Sequence, residues 1–342
     1  MKVANPTSRD IAEIAGVSQA TVSRALRNSP LVRPETRQRI QEIAKELNYF
    51  VNRNAAGLRT HQSNTIALLM FEETGGEGAQ INPFFLSMLG YITRAAATFG
   101  YDVLVSLQQL HDDWHIEYQA SHRADGLILL GYGDYLTYRE KLENLAAANT
   151  RFIIWGPSVK EQPGHSIGCD NVNGGFQATD HLLGLGRRRI AFLGNTTPQC
   201  PEFAARFGGY CAAHQDRGMT HDPELKVHAD NLEELGKDAV EQLLARGTEF
   251  DAIFAATDVI AIGAMKALAD AGLSVPVDVS VVGFDDILLA GHVTPALTTV
   301  RQDIRQASEA LVAGIVGLIE GEPVESSLMA PKLVVRESTS PL

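Results

Sequence analysis

A guanidinium can grip two acceptors on a guanine edge, and a carboxamide can do the same on adenine, each pairing adding roughly 1–3 kcal/mol of discrimination. In the run SQATVSRAL, Gln19, Ala20 and Arg24 fall outward near the start of a helical pattern, while Val22 and Leu26 are four apart and fall inward. Ser18, Thr21, Ser23 and Asn28 around them are short polar groups suited to phosphate oxygens. The run would equally suit the surface helix of a helical bundle, so its flanks matter.

Those flanks predict three helices. Ser8 can N-cap a first helix with Asp10 in its first turn, and Ile11, Ile14 and Ala15 line its apolar side. Gly16 ends it in a tight turn, and Ser18 caps a second helix over 19–27. Pro34 suits the first position of a third helix in which Ile40, Ile43, Ala44 and Leu47 recur at helical spacing. The order helix, Gly-containing turn, helix is the helix-turn-helix pattern. Residues 1–60 carry ten Lys and Arg against five Asp and Glu, in a chain whose net charge is −12. A basic head on an acidic body would meet nucleic acid through one end only.

A chain of 342 residues with 45% hydrophobic content suits two or three globular domains. No apolar run is long enough to span a membrane, and MKVANPTSRD lacks the apolar core of a signal peptide, so a cytoplasmic protein is expected. Cys169, Cys200 and Cys211 show no CxxC spacing and read as reduced thiols. The histidines, His111 and His115 among them, lack companion ligands, so no metal is expected. Neither GxGxxG after a strand, nor GxxxxGK[ST], nor GxSxG occurs, so neither cofactor nor enzymatic activity is expected.

From Thr65 the texture becomes apolar runs alternating with amphipathic stretches: TIALLMF, YDVLVSL, DGLILLG and RFIIWG, then RRIAFLG, DAIFAA and VSVVGF. That rhythm predicts two successive parallel α/β units with ligand beyond the carboxyl ends of their strands.

DIAEIAGVSQATVSRAL, TRQRIQEIAKELNY and NRNAAGLR together closely resemble the head of the lactose/galactose repressor (LacI/GalR) family of bacterial regulators. The resemblance continues through DNVNGGFQATDHLLGLG, RFGGY, DAIFAATDVIAIGAMKAL, VPVDVSVVGFDDI, PALTTVRQD and VVRES, nearly the whole body. It implies a helix-turn-helix domain at 1–50, a hinge helix and linker at 51–62, and a two-lobed effector-binding and dimerisation domain at 63–342 like periplasmic sugar-binding proteins. Three crossings near Gly168, Thr298 and Ser326 would divide the body into a first lobe (about 63–168 and 299–326) and a second (about 169–298 and 327–342). It also implies that Gln19, Ala20 and Arg24 read the major groove and that Thr7, Thr36, Asn52, Asn54 and Ala55 join the DNA contacts, with Leu58 wedged into the minor groove. The hinge is too short to hold a helix alone in water and would order on DNA beside its dimer mate. Val51 stands where the family usually has proline.

For the effector, the resemblance points to Phe84 and Phe85, Arg206 of RxxGY, Thr257 and Asp285 of GFDD, with Asn173 and Gln302 weaker. Trp155 is a sugar-stacking face or a filler between lobes; one of the two phenylalanines can be core. Asp258 can cap the helix that follows it, Asp286 reads better as a helix cap, and Asp170 as a fixture of the crossing. Asn231 occupies the place of a stacking aromatic, which favours a sugar over a purine. The expected protein is a homodimeric repressor of sugar-utilisation genes, released from a pseudo-palindromic operator by a small sugar, with no membrane partner. STSPL follows VVRES without a leucine-heptad tail, so a dimer is expected and no tail-made tetramer. The first-lobe helices at 85–99 and 110–120 are its expected face. The alternatives are a regulator needing a nucleobase corepressor or a phosphoprotein, and, less favoured, a sugar carrier.

Overall fold

Among the described residues three helices build the head: α1 (Ser8–Ala15), α2 (Gln19–Leu26) and α3 (Pro34–Glu46). The structure, a computed structural model, describes residues 6–49, 62–71, 81–107, 113–131, 134–157 and 162–342. It divides into two units, Met1–Ser63 and Asn64–Leu342. The cap of α1 is Thr7, not Ser8, because Asp10 stands three residues after it. The Thr7 amide donates to Asp10 Oδ2 at 2.7 Å and the Asp10 amide to Thr7 Oγ1 at 3.4 Å, closing a capping box. Gly16 ends the helix at φ 63°. Ile11, Ala12 and Ala15 are buried, whereas Ile14 is exposed, since it falls about 100° from the centre of their face. Val22, Ala25, Val32, Ile40 and Ala44 complete this small core. Thr7→Ala should remove about 1 kcal/mol from the head, visible in a thermal melt as earlier loss of its helical signal.

The body begins with β1 (Thr65–Met70), α4 (Pro83–Thr98), β2 (Asp102–Leu107), β3 (Gly126–Leu130), α5 (Tyr135–Ala147), β4 (Phe152–Trp155) and β5 (His165–Cys169). It continues with α6 (Asn171–Gly184), β6 (Ile190–Leu193), α7 (Pro201–Asp216), β7 (Lys226–Val227), α8 (Glu233–Ala245), β8 (Ala252–Ala255), α9 (Asp258–Asp270), β9 (Ser280–Asp285) and β10 (Thr298–Arg301). The last elements are α10 (Ile304–Glu320), β11 (Ser327–Met329) and β12 (Lys332–Val334). Two six-stranded sheets result, ordered β11-β5-β4-β3-β1-β2 and β12-β10-β9-β8-β6-β7. Among the described residues every strand pairing is parallel except β12 with β10. The strands TIALLM, GLILL and FIIW are apolar on both faces because helices cover both sides. Ile66, Leu68 and Met70 pack in the cluster with Met88 and Ile92 of α4 and Leu311 of α10, while Ala67 and Leu69 face Trp114, Tyr118 and Tyr138.

The chain crosses between lobes at Asp170, at Gln302–Asp303 and at Ala330–Pro331. The strands run through the positions expected for the crossings. Residues 299–301 therefore pair in the second sheet and 327–329 in the first, each ladder holding to the last residue before the chain leaves it. Asp170 fixes the first crossing to the third: its amide donates to the Met329 carbonyl at 2.9 Å, and its carboxylate caps α6. Within the second lobe, α6 lies backbone to backbone on α7 and α8 on α9. A Cβ at Gly175 or Gly209, or at Gly236 or Gly263, would run into main-chain atoms of the facing helix.

Candidate functional site

On the head, Gln19, Ala20 and Arg24 are exposed on the outer side of α2, and among the described residues neither long side chain is hydrogen-bonded within the protein. Ser18 caps the helix through the Thr21 amide at 3.2 Å, and its hydroxyl lies 2.9 Å from that of Thr21. Ser23 accepts from Arg27 Nη2 at 2.5 Å. Asn28, at φ 58°, accepts from Gln41 Nε2 at 2.8 Å and so braces the turn between α2 and α3. Thr36 is half-buried in the first turn of α3. Asn52, Asn54, Ala55 and Leu58 lie outside the described residues. The outer side of α2 therefore presents two exposed long polar side chains, with the nearby short polar groups largely occupied in holding the helices.

In the body, polar residues gather where the parallel strands end. Arg206, on α7, is 5% exposed. Its Nε donates to Asn171 Oδ1 at 2.9 Å and its Nη1 to the Ala256 carbonyl at 2.5 Å. Nη2 is 3.6 Å from Asp285 Oδ1, and the guanidinium carbon sits 3.7 Å from the centroid of the Phe284 ring. Asp285 also accepts from Gln302 Nε2 at 2.7 Å. A guanidinium has five N–H groups, of which two make hydrogen bonds among the described residues, leaving donors for ligand oxygens. Arg187 is a contrast. It is fully buried, and its donors go to the carbonyls of Asp251, Pro276 and Ser340, which makes it a fastener.

Asp285 is aimed by a strained turn. Its φ is 112° and that of Asp286 is 55°, conformations that cost a non-glycine residue about 1–3 kcal/mol each. Several contacts hold the turn. Asp286 is clamped by Arg301 and Arg336, each at 2.5 Å, so it does not cap the following short helix. Asp258, fully buried, accepts from the Ile287 amide at 2.8 Å and from Thr299 Oγ1 at 2.5 Å. Burial, reinforced by the neighbouring Asp285 charge, pushes the Asp258 carboxyl well above its ordinary pKa. The cap of α9 is Thr257, whose hydroxyl accepts from the Ile260 amide and donates to Asn231 Oδ1 at 2.7 Å.

The first lobe contributes aromatics. Phe84 and Trp155 are both buried, with ring centroids 5.9 Å apart, and Phe85 is half-buried over Gly131. Asn173 is exposed and accepts from Gln177, outside the cluster around Arg206. The asparagine that joins Arg206 is Asn171, two residues earlier. The face it shares with Gly175, which packs on the Arg206 backbone, was the available signal. Glu202, one turn before Arg206, is a second unanticipated member: burial raises its carboxyl to about 7, against the pull of Arg206. Beside them Asn195 donates to Asp230 at 2.7 Å, and Thr197 donates to Asn195.

The profile of the family described as bacterial regulatory proteins, lacI family, matches residues 7–52, and that of a periplasmic binding protein-like domain matches residues 179–339. The HTH-type transcriptional regulator CelR of Thermobifida fusca is 31% identical over 339 residues, covering 97% of this chain and 98% of the relative. A solved CelR–cellobiose complex superposes with a TM-score of 0.71 at 29% identity, over 97% of this chain and 99% of that one. The Lac repressor dimer bound to operator and the anti-inducer ONPF superposes with a TM-score of 0.85 at 27% identity, over 98% of this chain and all (100%) of that one. A head that presents Gln19 and Arg24, a two-lobed body, and a relative matched from end to end lead to one assignment: the chain belongs to the lacI family of bacterial regulatory proteins and is a DNA-binding transcriptional regulator.

Proposed function

We propose that this regulator is a cytoplasmic, non-enzymatic repressor, a homodimer that grips a pseudo-palindromic operator and is released when a small sugar or sugar derivative enters the body. The observation that carries the reading is the cluster of Arg206, Asn171, Asp285 and Gln302 at the strand ends, with donors to spare next to all three crossings. Hydroxyl groups of a sugar ring satisfy both its donors and its acceptors, and the Phe84–Trp155 pair supplies an apolar wall. Asn231, bonded to Thr257, offers no flat ring on which a nucleobase would stack, so the sugar is favoured over a nucleobase corepressor. Cellobiose in the CelR complex is a precedent for such a ligand. Exposed Leu86 and Tyr91 on α4, Phe99 at its C-terminal cap, and Ile116 further along the first lobe support that lobe as the dimer face.

Effector binding acts on DNA only through a difference in affinity between the gripping and released states. The test is a thermal-shift screen of mono- and disaccharides, nucleobases and sugar phosphates, with operator binding measured for each hit. A sugar that raises the melting temperature and weakens operator binding is expected; a shift by nucleobases alone would overturn the reading. On the head, Arg24→Ala is expected to cost about 1–3 kcal/mol of operator affinity and to flatten the preference at one base pair per half-site. Equal affinities for operators changed at that pair, already in the wild type, would remove Arg24 from base reading.

A further inference from the structure

We propose that the amide of Tyr135 and the carbonyl of Gln199 form a latch between the lobes, which sets how readily the body opens to admit an effector. Entry of an effector between the lobes rests on the reading above; the latch itself does not. Tyr135 opens α5 in the first lobe, and Gln199 lies in the loop that leads into α7 of the second. The Tyr135 amide donates to the Gln199 carbonyl at 3.1 Å. Strand order puts this bond away from the crossings. Its first-lobe side follows β3, which β4 separates from the crossing strand β5. Its second-lobe side follows β6, which β8 and β9 separate from β10. Covalent chain therefore joins the lobes along one side, and this hydrogen bond joins them along another.

Both halves of the latch are held ready. The first amides of a helix have no acceptor within it. In α5, Asp134 takes those of Leu136 at 2.8 Å and Thr137 at 3.4 Å, while that of Tyr135 goes across to the other lobe. The Tyr135 ring, buried in the cluster with Trp114 and Tyr138, fixes where the amide points. Opposite it the loop is pinned along its length. Lys226 Nζ donates to Thr196 Oγ1 at 3.3 Å, and Thr197 donates to Asn195 Oδ1 from its amide at 3.0 Å and its hydroxyl at 2.6 Å. The Cys200 amide donates to the Thr197 carbonyl at 3.0 Å. A donor and acceptor already in place lose little freedom on meeting, so the bond favours the latched body about 3- to 10-fold. The loop runs straight into α7, which carries Arg206. A molecule held by Arg206 and the latch thus act on one rigid element, and each favours the other.

Hydrogen exchange of the full-length protein, read residue by residue, tests whether the latch forms. A first-turn amide without an acceptor exchanges near the rate of an unfolded chain, whereas that of Tyr135 is expected to be at least about threefold slower. Exchange at the unfolded-chain rate overturns the latch. Tyr135→Ala and Tyr135→Pro then separate the amide from the ring: both lose the ring, and only the proline variant loses the N–H. Proline suits the first position of a helix, and Asp134, at φ −112° and ψ 112°, already has the extended conformation required before it. Single-molecule energy transfer between dyes on keto amino acids replacing the exposed Glu140 and Asp216, with one labelled chain per molecule, reads the ratio of open to closed bodies. That ratio is expected to be about 3- to 10-fold higher in Tyr135→Pro than in Tyr135→Ala. Equal ratios overturn the latch; if either variant fails to fold, the exchange rate of the wild-type Tyr135 amide decides alone. Neither measurement uses a sugar, so the latch and the sugar reading stand or fall separately.

Discussion

An Arg206→Ala protein should bind operator DNA as the wild type does and fail to let go when the effector is added. Its effector affinity is expected to drop by about 100-fold or more, since two charge-assisted hydrogen bonds of about 1.5–3 kcal/mol each would disappear. The substitution also strips Asp285 of its cationic neighbour in a site where both are nearly buried. Loss of one partner from such a pair is destabilising, so the unliganded variant should melt earlier as well. Pairing it with Asp285→Asn separates the two effects. The double variant should recover melting temperature, because no carboxylate is stranded, and should still ignore the effector. Titration calorimetry and a gel-shift assay on the three proteins give the readings. A single variant that responds to effector at wild-type concentrations would remove Arg206 from the site.

Asp258 should give the largest change in stability. Alanine there leaves the Ile287 amide and the Thr299 hydroxyl without their acceptor in a fully buried place. Each orphaned group costs about 1–3 kcal/mol, so a loss of about 3 kcal/mol is expected, or roughly 6–12 °C in melting temperature for a unit of this size. The variant should also blur effector recognition, because the same bonds hold the strained turn that aims Asp285. Asp258→Asn should be far milder. The amide keeps an oxygen for one of the two donors and can donate to the Thr299 hydroxyl, and it escapes the burial that pushes the carboxyl pKa upward. Denaturant midpoints for the three proteins decide the matter; an alanine variant as stable as the asparagine one would show that the two bonds contribute little.

Much of this molecule is legible in its residues, for reasons that differ between its parts. The head reads well because its punctuation is chemical: Gly16 at positive φ, Ser18 as a cap and Pro34 opening α3 stand where their backbone properties require. Thr7 against Ser8 was a closer choice, since both side chains can cap and only the reciprocal bond with Asp10 separates them. In the body, apolar runs announce parallel strands, but where a strand gives way to a crossing is set by ladder pairing that the runs do not mark. The residues around the strand ends are legible only in part, because partners there come from distant elements. Arg206 meets Asn171 and Ala256 across 35 and 50 residues of chain. Asp286 shows the same limit: locally it is a plausible cap, and two arginines from later in the chain claim it instead.

The four glycines at which helices of the second lobe meet have a mechanical consequence. Helices that touch main chain to main chain have no side-chain layer to compress or slide, so α6 with α7, and α8 with α9, behave as welded pairs. Arg206 rides on one weld and Thr257 adjoins the other, so a pull exerted on either would not be absorbed by local give. Such a pull would be passed to the places where single strands of chain join the lobes, at Asp170, Gln302–Asp303 and Ala330–Pro331. A stiff lobe makes a long lever out of a small tug.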